Sequence, residues 1–253
     1  MIRVAVSGAA GRMGALAAAT VAAAPDLDLT ACFDPVGSGE IAGVPSSTDP
    51  AAVGDAEVVV EFTTPDVVMQ NLAAWRDLGV HAVVGTSGFD EARLAALGEQ
   101  WGSGPPNCLV VPNFSIGAVL MMKFAETAAP HFAASEIVEL HHDRKADAPS
   151  GTALATAERM RAAGGRQERA VVSSELVAGA RGADAGGSRV HAVRLPRLLA
   201  HQVVLLGSEG EPLTIRHDTP DRAAFMPGVL LPTRGIGDLD EPVTIGLVGV
   251  LGL

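Results

Sequence analysis

The chain has 253 residues, 48% of them hydrophobic, which is enough for one large domain or two modest ones. Aromatic residues make up only 4% and Tyr is absent, so Val, Leu, Ala and Ile must fill the core. The formal net charge of -11 argues against a nucleic-acid partner, which demands a basic face, and obliges any anionic ligand to find a local basic pocket.

Residues 2–6 form a short apolar run that reads as a buried strand, with no signal peptide before it. Residues 12–24 are Ala-rich and helical, stopped by Pro25. The longest apolar stretch, 15–24, is too short to span a bilayer, and no membrane association is expected. Strands are expected at 27–33, 57–62, 80–84 and 109–111, and helices at 66–78 and 90–100. The strands are continuous Val/Ile-rich runs, so both faces must be covered, as in a parallel sheet flanked by helices. Cys32 and Cys108 lie in such runs and read as buried small hydrophobes in a reducing, cytoplasmic compartment.

After Asn113 the grammar changes. Helices are expected at 117–129 and 151–163, an extended run at 136–142, and a Gly- and Ala-rich loop at 164–187. Strand-like runs follow at 190–195, 202–206 and 213–217, which suggests an open, mainly antiparallel sheet and a second α+β domain. The tail beyond Asp221 carries Pro227, Pro232 and a late strand at 243–248, and it can return to the first domain.

The first strand leads through Gly8, Ala9, Ala10, Gly11, Arg12, Met13 and Gly14 into a helix. Glycines permit a tight turn and close approach to a pyrophosphate, whose charge meets the helix N-terminus. Gly8 sits one residue earlier than the usual dinucleotide fingerprint requires. Asp34 ends the next strand. It either holds the ribose hydroxyls of NAD or is a solvated loop acid, while Arg12 opposes it by attracting a 2′-phosphate. The loops Gly85-Thr86-Ser87-Gly88 and Pro112-Asn113-Phe114-Ser115 also follow strand ends, where such sheets bind ligands, although either is also readable as an ordinary turn.

The segment 136–153, EIVELHHDRKADAPSGTA, carries the most chemistry. An extended run ends in His141 and His142, Lys145 follows, and Ser150 caps a helix that opens with Gly151 and Thr152. That helix start, with Lys145 and an imidazole nearby, suits a carboxylate. Adjacent strand histidines point to opposite faces, so at most one of them readily serves as acid while the other binds or orients, and the pair is equally readable as structural. Neither H-E-x-x-H nor Cys/His spacing is present, so no metal site is expected. Ser150 lacks the elbow of a serine nucleophile.

GAAGRMG, GTSG, PNFSIGA and ELHHDRKADAPSGTA together resemble the dihydrodipicolinate reductase family, the 4-hydroxy-tetrahydrodipicolinate reductases of the diaminopimelate route to lysine. The resemblance covers nearly the whole chain and is nearest to actinobacterial members. It implies an α/β fold: an N-terminal Rossmann-like parallel sheet over 1–112 and 222–253, and a second α+β domain over 113–221, built on an open mixed sheet, that binds substrate and forms a homotetramer. It implies NADH or NADPH as cofactor, with dual use expected. Cofactor contacts would fall on Gly8, Ala9, Ala10, Gly11, Arg12, Met13, Asp34, Gly85, Thr86, Ser87, Val111, Pro112, Asn113 and Phe114. It implies a small dicarboxylate substrate held by His142, Ser150, Gly151 and Thr152, and proton roles for both His141 and Lys145. The hydride would go to C4 of a cyclic imine formed by loss of the 4-hydroxyl, giving tetrahydrodipicolinate. Ser87 stands where Thr is common, and Arg197 stands where Gly is common, which leaves the path of its loop open.

Two rivals share this sequence grammar. A phosphorylating semialdehyde dehydrogenase requires a loop cysteine, whereas Cys108 lies in a strand. A dinucleotide-sensing regulator requires no acid/base cluster and usually has a basic partner surface.

Overall fold

The computed structural model describes residues 1–37, 39–165 and 171–253. The chain opens with β1 (Ile2–Ser7), α1 (Arg12–Ala23) and β2 (Leu27–Phe33). A small hairpin of β3 (Glu40–Ile41) and β4 (Val44–Ser47) follows. Then come β5 (Val58–Glu61), α2 (Val68–Asp77), β6 (His81–Val84), α3 (Glu91–Trp101) and β7 (Cys108–Val110). The middle holds α4 (Ile116–Ala128), β8 (Ala134–His141), α5 (Gly151–Ala162), β9 (Ala183–Ala185), β10 (Ser188–Arg194), β11 (Ala200–Ser208) and β12 (Glu211–Thr219). The chain closes with α6 (Met226–Gly235) and β13 (Val243–Ile245).

The chain divides into two units, one of residues 1–116 with 225–253 and one of residues 117–224. The first contains an eight-stranded sheet in the order β13-β7-β6-β5-β1-β2-β4-β3. All its pairings are parallel except that of β3 with β4. Its central strands carry apolar runs, Val58 to Val60 in β5 and Ala82 to Val84 in β6, because helices cover both faces, α1 and α6 on one and α2 and α3 on the other. Leu72, Trp75, Leu97 and Trp101 pack with Val59, Val84 and Val110 in one hydrophobic core of this unit.

The second unit is built on a five-stranded sheet in the order β12-β11-β8-β10-β9. Strands β8 and β10 are parallel and the other neighbours antiparallel, so the sheet is mixed. Helix α5 packs on β8 and β10 over buried Ile137, Val190 and Val204.

Three elements depart from the sequence reading. The β3–β4 hairpin is only six residues of strand in two short pieces, below the length at which periodicity is readable. Strand β9 lies within the stretch 164–187 expected as loop, of which 166–170 fall outside the described residues. Helix α6 forms although Pro227 and Pro232 argue against it. Pro227 lies in the first turn, where a missing N–H costs nothing, whereas Pro232 lies inside the helix and gives up the hydrogen bond to Gly228 O.

Candidate active site

In the first unit the chain leaves β1 for one side of the sheet and then crosses to the other, so the turn after β1 sits where the strand order reverses. Gly8 holds that turn with φ of 74°, and its N–H donates to Phe33 O at 2.8 Å. A Cβ on Gly14 would fall 2.0 Å from Gly8 O, so the helix start rests directly on the turn. The offset of Gly8 from the usual fingerprint is therefore real, and the pair still meets both steric demands. Gly11 caps α1 with no side-chain hydrogen bond, and no acid lies in the first turn. An uncapped, unopposed helix N-terminus fits a pyrophosphate.

Asp34 is 8% exposed at the end of β2. Its Oδ2 accepts from Ala10 N and its Oδ1 from Val36 N, both at 3.0 Å. Arg12 is exposed in the first turn of α1. At the ends of β6 and β7, Gly85 lies against Phe62 and Phe114, whose ring centroids are 5.4 Å apart. Thr86, Val111 and Phe114 are buried, whereas Ser87 and Pro112 are exposed. Asn113 turns inward on its own loop, its Oδ1 accepting from Ser115 N at 2.9 Å. Every expected cofactor residue of this unit thus lies in a loop after β1, β2, β6 or β7, or in the first turn of α1.

Beneath these loops lies a carboxylate that the sequence reading missed. Glu61 is fully buried at the end of β5 and accepts from Thr63 N at 3.0 Å and Trp75 Nε1 at 2.9 Å, as well as from the Thr63 hydroxyl. Its place in EVVVEF reads only as the close of a strand.

In the second unit a further carboxylate organises the reactive segment. Glu139 lies two residues before His141 on β8, so both point to the face covered by α5. Glu139 is fully buried, and Arg194 of β10 grips it with both terminal nitrogens at 2.8 Å. His141 Nδ1 lies 2.5 Å from Glu139 Oε2, and Ser150 N donates to Oε1 at 3.1 Å. Burial pushes the Glu139 pKa up, but the Arg194 and His141 hydrogen bonds more than reverse this, leaving it below the ordinary carboxylate value. Burial pushes the His141 pKa down and Glu139 pulls it up, and with the charges of Lys145 and Arg194 adding to the fall it lies below the ordinary imidazole value.

Ser150 is the N-cap of α5, its Oγ accepting from Ala153 N at 3.2 Å. Gly151 and Thr152 form the first turn after it. Lys145 is held by Asp147 at 2.7 Å, and Asp147 is 57% exposed on its side chain. His142 stands outside the Glu139 network, and its Nδ1 is buried without a hydrogen-bond partner. The structure thus gathers His141, Ser150, Glu139 and Arg194 into one bonded cluster. Lys145 is near enough to depress the His141 pKa by its charge. Glu139 and Arg194 were absent from the sequence reading. The signal available was the two-residue spacing of Glu139 and His141.

Cys32 and Cys108 are buried free thiols; burial pushes the Cys32 pKa up to about 11 and that of Cys108 up as well. A thiolate nucleophile is therefore disfavoured at both positions. Among the described residues, no group of three or more His, Cys, Asp or Glu side chains is placed to hold a metal ion, and no helix is long and apolar enough to cross a membrane.

Comparison with known proteins identifies relatives along the whole chain. Residues 2–114 match the family model for the N-terminus of dihydrodipicolinate reductase, and residues 117–248 match that for its C-terminus. A 4-hydroxy-tetrahydrodipicolinate reductase from Nocardia farcinica is 51% identical, covering 100% of this chain and 99% of its own. One from Cutibacterium acnes is 49% identical and covers 100% of both. The solved dipicolinate-bound dihydrodipicolinate reductase from Paenisporosarcina sp. TG-14 superposes with a TM-score of 0.86 at 36% identity, covering 98% of this chain and 99% of that one. A myo-inositol dehydrogenase from Corynebacterium glutamicum, at 18% identity and a TM-score of 0.61 over 94% of this chain and 89% of its own, shares the fold. This chain belongs to the dihydrodipicolinate reductase family.

Proposed function

We propose that this chain reduces 4-hydroxy-tetrahydrodipicolinate to tetrahydrodipicolinate, with His141 and Lys145 as the residues that manage charge and protons. The observation that carries the site assignment is the bonded cluster of His141, Glu139, Arg194 and Ser150 at the start of α5, with Lys145 close by. The relative from Paenisporosarcina binds dipicolinate, a flat dicarboxylate of the kind this site would take.

NADH or NADPH, when bound, supplies the hydride. The residues of the first unit that would hold it are Gly8 to Met13, Asp34, Gly85 to Ser87 and Val111 to Phe114. The uncapped start of α1 attracts the pyrophosphate, and Asp34 and Arg12 act in opposite senses on the adenosine ribose. In the second unit, Gly151 and Thr152 at the start of α5 anchor a substrate carboxylate. Lys145 swings from exposed Asp147 to hold the substrate as an anion. His141, with Nδ1 engaged by Glu139, gives up or takes a proton at Nε2. His142 binds or orients the same ligand.

The second unit also supports assembly. On the sheet face away from α5, Val138, Leu140, Val193 and Val203 stand side by side and only half-buried, as opposed pairs on β8, β10 and β11. Further copies of this chain cover that face in a homotetramer, and the enzyme works in the cytoplasm. Sedimentation equilibrium tests the assembly, and a monomer at micromolar concentration would refute it.

The reaction is tested with aspartate semialdehyde, pyruvate and the upstream synthase, following NADH and NADPH consumption. Within that assay, His141→Gln is expected to flatten the pH profile near neutrality and lower kcat by roughly a hundredfold. Lys145→Ala is expected to lower kcat/KM and keep the profile's shape. If instead the Lys145 variant loses the limb and the His141 variant keeps it, the roles are reversed.

A further inference from the structure

We infer that Glu139 is a positioning residue for the reaction, holding His141 as the Nδ1–H tautomer so that Nε2 is the atom that exchanges protons. This rests on the reading of His141 as the proton-transfer residue. The carboxylate itself touches neither solvent nor, on that reading, substrate.

The argument is one of hydrogen-bond accounting. Arg194 places one nitrogen on each Glu139 oxygen at 2.8 Å. A carboxylate gripped in this way by a guanidinium stays ionised, and an ionised carboxylate only accepts. His141 Nδ1, 2.5 Å from Oε2, must therefore carry the hydrogen. In the neutral ring Nε2 is then the bare nitrogen, and in the charged ring it is the proton that remains to be given.

The same carboxylate fixes a second part of the site. Oε1 also accepts from Ser150 N, the N-cap of the helix that begins with Gly151 and Thr152. One buried group thus joins the end of β8, the end of β10 and the start of α5. A plain structural ion pair would be complete with Arg194 alone. Here the carboxylate divides its oxygens between the guanidinium, the imidazole and the helix start.

The electrostatic surroundings of His141 come from every side. Glu139 lies on its own strand and Arg194 on β10, while Lys145 and Asp147 lie in the loop that follows β8. On β11, its paired residue is Ala200, and Gln202 beside Glu139 is neutral, bonded to Thr156 of α5 at 2.8 Å. Glu139 is the one anion in direct contact with the ring among the described residues. Removing its charge therefore lowers the His141 pKa, because the remaining nearby cations disfavour the imidazolium.

The test has a part that needs no turnover. Long-range nitrogen-15 spectra of the histidine-labelled full-length protein are expected to show His141 protonated at Nδ1 and bare at Nε2 when neutral. A proton on Nε2 instead would overturn the inference, whatever the substrate proves to be. In Glu139→Gln the His141 titration midpoint is expected to fall by roughly one unit or more. The kinetic part uses the same variant. Its kcat is expected to fall roughly ten- to a hundredfold, with KM changed by less than about threefold, and the limb set by imidazolium to move to lower pH. In a His141→Gln background, adding Glu139→Gln should change kcat by less than about twofold. Independent, multiplying effects of the two substitutions, or an unmoved limb in a folded Glu139→Gln protein, would reduce Glu139 to a stabilising ion pair.

Discussion

The Asp34 carboxylate accepts the Ala10 amide at 3.0 Å, which ties the end of β2 to the glycine turn after β1. The residue proposed to read the ribose therefore also shapes the turn that would meet the pyrophosphate. Asp34 repels a 2′-phosphate and Arg12 attracts one, so kcat/KM with NADH is expected to equal or exceed that with NADPH. Asp34→Asn should shift the ratio toward NADPH by roughly tenfold, the value of one charged interaction. Steady-state kinetics with both cofactors decide it. A strong wild-type preference for NADPH would mean that Arg12 dominates.

Thr152 tests the carboxylate anchor. Losing one hydrogen bond to a charged group costs about 1.5–3 kcal/mol, or roughly ten- to a hundredfold. Thr152→Val is expected to raise KM for the dicarboxylate by that factor and to leave kcat within a few-fold. An unchanged KM would remove the start of α5 from the binding site.

Gly85 tests the packing of the loops at the strand ends. A Cβ there would lie 2.1 Å from Phe62 Cε1 and 2.6 Å from Phe114 Cε2. Gly85→Ala is expected to destabilise the protein by about 1–3 kcal/mol through overpacking. Phe62→Leu in the same chain should recover part of it. Urea midpoints for the single and double variants provide the measurement, and equal stability of Gly85→Ala and wild type would contradict the geometry.

Arg197 settles a point that the sequence left open. It lies between β10 and β11 with φ of 70°, so the turn keeps a left-handed residue although an arginine occupies it. That conformation costs a side-chain-bearing residue about 1–2 kcal/mol, partly offset in glycine by its freer unfolded chain. Arg197→Gly is expected to stabilise by about 0.5–1 kcal/mol. A lower denaturation midpoint for the variant would show that the arginine side chain makes up the difference.

His81 predicts an acid-sensitive first unit. Its Nδ1 accepts the Asn107 amide at 2.9 Å, which only an unprotonated nitrogen can do. Burial holds its pKa below the ordinary 6.5, with Glu57 pulling weakly the other way. The unfolded chain therefore binds the proton first. Stability from this group is intact above pH 6.5, falls as pH drops from there toward the lowered folded value, and then levels off. His81→Gln should flatten that segment of a plot of urea midpoint against pH. An unaltered slope between pH 7.5 and 5.5 would exclude His81 as the cause.

The sequence displayed what local pattern controls. The Val-rich runs marked the parallel strands because those strands are buried on both faces, and Ser150 was readable as a cap because capping is a local hydrogen bond. Glu139 was not readable in the same way. A glutamate in an alternating strand ordinarily faces water, and this one is buried only because Arg194, 55 positions on, comes beside it. Glu61 is hidden for the same reason, its partner Trp75 lying on the following helix. Helix α6 was obscured because prolines speak against helices in general; position in the first turn excuses Pro227, while Pro232 stands inside the helix at the loss of one backbone hydrogen bond.

Strand β13 pairs in parallel with β7, and α6 packs beside α1 and β5, so residues from the far end of the chain complete the sheet begun at residue 2. The second unit is an insertion within the first. During synthesis on the ribosome its five strands therefore emerge before the nucleotide-type sheet has its last helix and edge strand. Through that interval β7 presents an unpaired edge to the medium. The order of manufacture is thus the reverse of the order of reading: the unit that starts first is finished last, and protection of the Cys108 amide, which donates to Pro242 O, should arise only after residue 245 has cleared the exit tunnel.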